Sequence, residues 1–143
     1  ALEHGGKLLL GGKKPDAPEL QNGYFYEPTI IAEAGPGAKI LREESFAPIV
    51  HVQPFASTEE VIRLSNANPY GLVSYLYTND LSNAIQISEA LESGTVCVNN
   101  TVGSTVEAPY GGWKQSGIGV ELSHYGIEQY MHLKHVRLQL RGI

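Results

Sequence analysis

From Pro48 to Asn99 the chain alternates short β-branched runs with amphipathic stretches, and this alternation restricts its fold more than any other feature. PIVHVQPF (Pro48 to Phe55) is a compact run that suits a buried strand. Ser57 then opens a capping box with Glu60. The hydroxyl accepts from an amide at the helix start, the carboxylate reaches back, and a helix is expected to about Asn66. LVSYLYT (Leu72 to Thr78) reads as the next strand. Asp80 caps a second helix, with Leu81, Ala84, Ile85, Ser88 and Leu91 on one face and Gly94 at its end. TVCVN (Thr95 to Asn99) is a third strand. Strand, helix, strand, helix, strand with short connections predicts two right-handed crossover units in a parallel sheet, an α/β fold.

The flanks are less regular. Lys7 to Leu10 is a short apolar run closed by Gly11 and Gly12, a strand and a turn. Lys13 to Gly23 has two prolines and no apolar period, so it is a loop. Tyr24 to Ile31 is aromatic and β-branched but interrupted by Pro28, which implies an edge strand or a bend. GPG at Gly35 to Gly37 breaks the chain again. A last helix is expected from about Glu121 to Tyr130, then a strand in which Val136, Leu138 and Leu140 alternate with His135, Arg137 and Gln139. That strand either closes this chain's own sheet or serves as an assembly strand, because an unpaired apolar edge is a pairing hazard.

The 143 residues fit one domain with a real core. A net charge of −5 argues against a nucleic-acid surface, which needs clustered Lys and Arg. No apolar run approaches bilayer length, so no membrane partner is expected. A single cysteine, Cys97, excludes an internal disulfide and suggests a reducing, cytoplasmic setting. The first residues, ALEHGGKLLLGGKK, have no initiator Met and no leader pattern, so the start reads as internal to a longer polypeptide.

Several motifs fail. EAPYGGWKQSGIGVELSHYG (Glu107 to Gly126) lacks the GxxxxGK[ST] spacing, and no GxGxxG joins a strand to a helix, so no phosphate loop is available. His124, His132 and His135 straddle a helix and a strand and read as surface residues, so no metal is expected. His51 reads as a satisfied strand residue, Glu89 and Glu92 as a solvated helix face. Cys97 lies mid-strand between Val96 and Val98 with nothing near it in sequence to lower its pKa, as for a small buried hydrophobe.

EESFAP (Glu43 to Pro48), PYGL (Pro69 to Leu72), SGTVCVNN (Ser93 to Asn100) and APYGGWKQSGIG (Ala108 to Gly119), in this order, together with YGIEQYMHLKHV near the end, resemble the C-terminal third of the NAD(P)-dependent aldehyde dehydrogenases. The resemblance implies a three-layer parallel-sheet fragment of the family's catalytic domain over residues 1–131 and an oligomerisation-arm strand over 132–143. It places the cofactor domain, the cysteine nucleophile and the glutamate base before Ala1, so this segment alone is expected to be inactive. In the whole protein it implies thiolate attack on an aldehyde, hydride transfer to NAD or NADP, thioester hydrolysis and a homo-oligomer, dimer or tetramer. The alternative is a truncated module acting only in folding or assembly.

The resemblance also assigns residues. Glu44 matches the glutamate that accepts from the nicotinamide ribose hydroxyls, and Phe46 the aromatic near the nicotinamide ring. Two residues apart on an extended segment, they would face the same way; the plainer reading is an exposed acid and a core Phe. Ala47 stands where the family usually has Gly. Asn99, Ser104 and Tyr110 match the segment lining the aldehyde entrance. The hydroxyl of Tyr110, where Phe is commoner, suits an aldehyde with a polar tail, and Ser104 a roomier pocket. The match leans toward semialdehydes or amino aldehydes. Gly111, Gly112, Gly117 and Gly119 permit positive φ or close approach. Glu121 matches a possible proton relay, but Val120 replaces the Arg that usually precedes it, so the ion pair at that spot is absent and either the interface is wired differently or the helix is less tightly anchored.

Overall fold

Pro28 has no N–H to give to a ladder, and the second strand begins immediately after it. The computed structural model describes residues 1–140, and the chain falls into two units divided between Asn68 and Pro69. In the first unit β1 (Lys7–Leu10) pairs antiparallel with β2 (Thr29–Ala32), and β2 pairs parallel with β3 (Ile49–Val52). The strand expected from Tyr24 is therefore shorter, and it is the middle strand of three, not an edge. Both of its sides are bonded, which a proline within it would prevent. Ile31, Ala34 and Ala38 form the unit's core, with Ile40, Leu41 and Ile49 against them.

β3 was expected to be buried on both faces. Instead Ile49 and His51 are half-buried while Val50 and Val52 are exposed, the alternation of an edge strand with one face on a core. After it, α1 (Thr58–Asn66) begins as expected. Ser57 Oγ accepts from the Glu60 N–H at 3.2 Å, and the Glu60 carboxylate accepts from the Ala56 N–H at 2.7 Å, one residue further back than in the usual box.

In the second unit β4 (Tyr70–Gly71) leads into β5 (Val73–Leu76), α2 (Leu81–Ala90) and β6 (Thr95–Val98). β5 and β6 are parallel, Val73 opposite Thr95 and Leu76 opposite Val98, so this predicted crossover forms. The other does not pair as expected, since β3 and β5 belong to separate sheets. Ahead of β5, Tyr70 and Gly71 form a strand of their own, antiparallel to β7 (Trp113–Lys114). Asp80 caps α2 by accepting from the Asn83 N–H at 2.9 Å. Ala84 and Leu91 of the expected face are buried, but Ile87 is buried in place of Ile85, which is 51% exposed, and Leu81 is 74% exposed. A helical period admits either Ile85 or Ile87 beside Ala84 and Leu91, and Ile87 is the one that packs.

α3 (Ser123–Glu128) is shorter than the predicted Glu121–Tyr130, because Leu122 takes φ 61°, ψ 174°, which no helix accommodates. Residues 131–140 are exposed and carry no strand, so the predicted terminal strand does not close this chain's sheet within the described residues. Residues 141–143, the end of the expected arm, lie outside the described residues. The chain is α/β, with parallel and antiparallel sheets. No helix among the described residues is long and apolar enough to cross a membrane.

Candidate functional site

In the first unit a 3-10 turn, Lys39–Leu41, ends just before the candidate cofactor residues. Glu43 comes within 3.7 Å of Lys39 on that turn, while Glu44 is exposed. Phe46 adopts φ 41° and is 91% exposed. Two expectations are corrected here. The Glu44–Phe46 segment is not regularly extended, so the same-face argument from spacing does not hold, and Phe46 is not a core residue of this chain. A bulky side chain at positive φ costs on the order of 1–3 kcal/mol, and such strain gathers at ligand sites. Ala47 accepts from the Ile49 N–H at 2.7 Å, a tight turn about Pro48 that sends the chain into β3.

The other candidates belong to the second unit. Asn99, just after β6, has φ 52°. Its Oδ1 accepts from the Thr78 N–H at 3.0 Å and its Nδ2 donates to the Thr78 carbonyl at 2.7 Å. The side chain thus ties the end of β6 to the segment after β5. Ser104 is exposed in the loop that follows. That loop is held to the start of α3 by the Ser123 N–H, which donates to the Val106 carbonyl at 2.9 Å.

Tyr110 and Glu121 are brought together. The Tyr110 N–H donates to the Glu121 carbonyl at 2.9 Å, and the Glu121 N–H donates to the Tyr110 carbonyl at 2.7 Å, an isolated antiparallel bridge. Tyr110 is half-buried and Glu121 exposed. Beside the bridge, Gln129 Oε1 accepts from the Val120 N–H at 3.0 Å and its Nε2 donates to the Val120 carbonyl. The Val120 segment is thus held to the end of α3 through its backbone. Sequence reasoning missed Gln129 and Thr78, and no spacing signal marks either. The glycines act by close approach. A Cβ on Gly94 would lie 1.6 Å from the Gly111 carbonyl oxygen, so the turn before β6 sits directly on the tyrosine loop.

Six described non-glycine residues have positive φ, among them Glu33 and Lys114 away from the candidates. Phe46, Asn99, Leu122 and Ser123 all have positive φ without being glycine. Two are candidates themselves and two follow Glu121 directly.

His51 is a satisfied strand residue, its Nε2 accepting from the Ala34 N–H at 3.0 Å. Cys97 is buried, with its thiol 3.4 Å from the Val102 carbonyl. Glu92 is not a plain solvated acid, since Lys114 Nζ lies 2.6 Å from its carboxylate. Among the described residues no three His, Cys, Asp or Glu side chains gather as a metal site. Displaced titrations occur at other residues: a hydrogen bond to Asp16 raises Lys13, and Glu59 is lowered by its own backbone N–H and by the Ser57 hydroxyl.

The sequence profile of the aldehyde dehydrogenase family matches residues 1–136. Betaine aldehyde dehydrogenase of Bacillus subtilis (strain 168) is 44% identical over 135 residues, which make up 94% of this chain and 28% of that protein. Among solved structures, betaine aldehyde dehydrogenase from Staphylococcus aureus in complex with NAD+ is 38% identical with a TM-score of 0.89, covering 98% of this chain and 28% of that one. 3,6-Anhydro-L-galactose dehydrogenase in complex with NAP is 38% identical with a TM-score of 0.85, covering 91% of this chain and 27% of the other. The chain therefore spans about 28% of the length of the curated relatives it matches.

Proposed function

Because the chain belongs to the aldehyde dehydrogenase family, we propose that it is the C-terminal catalytic part of an enzyme that oxidises an aldehyde to a carboxylic acid with NAD or NADP. The observation that carries the site reading is Phe46, an exposed aromatic held at positive φ two residues from an exposed carboxylate. That pair suits a nicotinamide riboside: Glu44 accepts from the ribose hydroxyls, and the Phe46 ring packs beside the nicotinamide. The cofactor accepts the hydride that the aldehyde carbon gives up.

Tyr110 and the loop carrying Ser104 form the wall of the aldehyde passage. Asn99 fixes the root of that loop through Thr78, and Glu121 stands at its far end as a proton relay. The attacking thiolate comes from polypeptide outside this chain, since Cys97 is 7% exposed and its thiol faces a backbone carbonyl. The segment alone is inactive. The Tyr110 hydroxyl and the similarity to betaine aldehyde dehydrogenases favour an amino aldehyde. The homo-oligomer forms through the arm at residues 132–143, whose Leu133, Val136, Leu138 and Leu140 are exposed here.

The test is steady-state kinetics of the longer protein containing this chain, with betaine aldehyde, a 4-aminoaldehyde, a semialdehyde and benzaldehyde, each with NAD and NADP. The amino aldehydes should give the highest kcat/KM. No reduced cofactor from any pair would sink the enzymatic reading.

A further inference from the structure

We propose that Gln129 is a positioning residue whose side-chain amide holds the Val120–Glu121 segment and so fixes where Tyr110 stands in the aldehyde passage. The proposal rests on the reading of Tyr110 as part of that passage. In an extended segment the backbone groups of successive residues point to opposite sides. Those of Glu121 pair with Tyr110, so those of Val120 face away from it. Gln129 supplies what a neighbouring strand would supply there: Oε1 for the Val120 N–H at 3.0 Å, and an Nε2 donor for the Val120 carbonyl. With both edges engaged, the segment cannot rotate out of its bridge to Tyr110.

Two features of the sequence fit this arrangement. Gly119, at φ 101°, leaves the room the amide occupies, since a Cβ there would lie 2.7 Å from Gln129 Oε1. Immediately after the clamped pair, Leu122 and Ser123 hold φ of 61° and 51°. Strained residues persist only where their surroundings over-determine them, and the clamp is one such determinant.

The test uses the longer protein with Gln129→Ala, Gln129→Glu and Tyr110→Ala, reading the aldehyde KM, the cofactor KM and kcat separately. Gln129→Ala should raise the aldehyde KM about five-fold with the cofactor KM unchanged, the size of effect expected when a hydrogen-bonded positioning contact is lost. Gln129→Glu gives a signature that plain structural support would not. As a carboxylate it accepts from the Val120 N–H but cannot donate to the carbonyl; once protonated it does both. Its aldehyde KM relative to the unsubstituted enzyme should fall toward one as pH is lowered from about 6 to about 4, through the carboxyl range. If Gln129→Ala does not accumulate as folded protein, this pH series decides alone, and a flat ratio overturns the clamp. An unchanged aldehyde KM in Gln129→Ala beside a raised one in Tyr110→Ala overturns the clamp and leaves the passage reading standing. Unchanged values in both overturn the two together.

Discussion

Asn99 combines a left-handed backbone with a side chain whose two amide ends both engage Thr78. Asn is among the few residues that accept such a backbone at modest cost. Asn99→Ala should therefore destabilise the longer protein by about 1–3 kcal/mol, from two lost hydrogen bonds and the strain of Ala at that φ. Asn99→Asp keeps the acceptor and should cost less. Denaturant unfolding of both variants checks the order; an Asn99→Ala protein of full stability with a changed aldehyde KM would instead place the amide on the substrate. Glu44 offers the opposite contrast. Exposed in this chain, its change to Gln should raise the cofactor KM about ten-fold while the melting temperature stays put. Kinetics unchanged from the unsubstituted protein with both NAD and NADP would remove it from the site. At this scale much was legible. His51 and Cys97 behave as their neighbours in sequence imply, because burial within a β-branched run follows from alternation. The positive φ of Phe46 was not, since nothing in Glu-Ser-Phe-Ala specifies a conformation imposed by the turn around it.

The starts of α1 and α2 were legible because a cap is a local event, whereas α3, whose start has no side-chain cap, begins later than expected. Ser57 and Asp80 act within three residues, and both hydrogen bonds form as their spacing predicts. The buried face of α2 was less legible, since a 3.6-residue period admits two adjacent stripes and the choice is made by the sheet beneath. Strand partnership was least legible: β4 pairs with β7, more than forty residues later, through backbone groups that carry no side-chain signature. The capping of α1 yields a pH prediction. Glu59 is held below the usual carboxylate range, first by its own backbone N–H and then by the Ser57 hydroxyl. A carboxyl whose folded pKa is depressed adds stability above its unfolded pKa, and that stability is lost as pH falls through the lower, folded value. Ser57→Ala removes one of the two causes and one N-cap bond. The Glu59 titration followed by carbon-detected NMR should move up toward the ordinary value, and stability at neutral pH should drop by about 1 kcal/mol. A Glu59 titration that stays in place would mean the Ser57 hydroxyl does not reach it in solution.

For the molecule as a whole, the family was legible from four short motifs in order, while the partnership of its surfaces was not. Among the described residues no large side chain is fully buried, and those below a tenth exposed are mostly small or single aliphatics such as Ala38, Ala84 and Ile87. Apolar groups left in water on this scale mark surfaces that another part of a protein covers. The clearest is the end of the chain. Leu133, Leu138 and Leu140 are at least 80% exposed in a stretch with no ladder within the described residues, so both its apolar face and its backbone groups lack cover from this chain. A segment of that kind gains most by adding to the sheet edge of another copy, where each N–H and carbonyl finds a partner and each alternate side chain a surface. Removing residues 132–143 from the longer protein should therefore shift it to a smaller species in sedimentation velocity. A conservative break should do the same: Leu138→Pro removes one donor from any ladder without changing the length. If either variant sediments as the unaltered protein does, the segment does not join the copies, and its apolar alternation serves the parent chain's own fold.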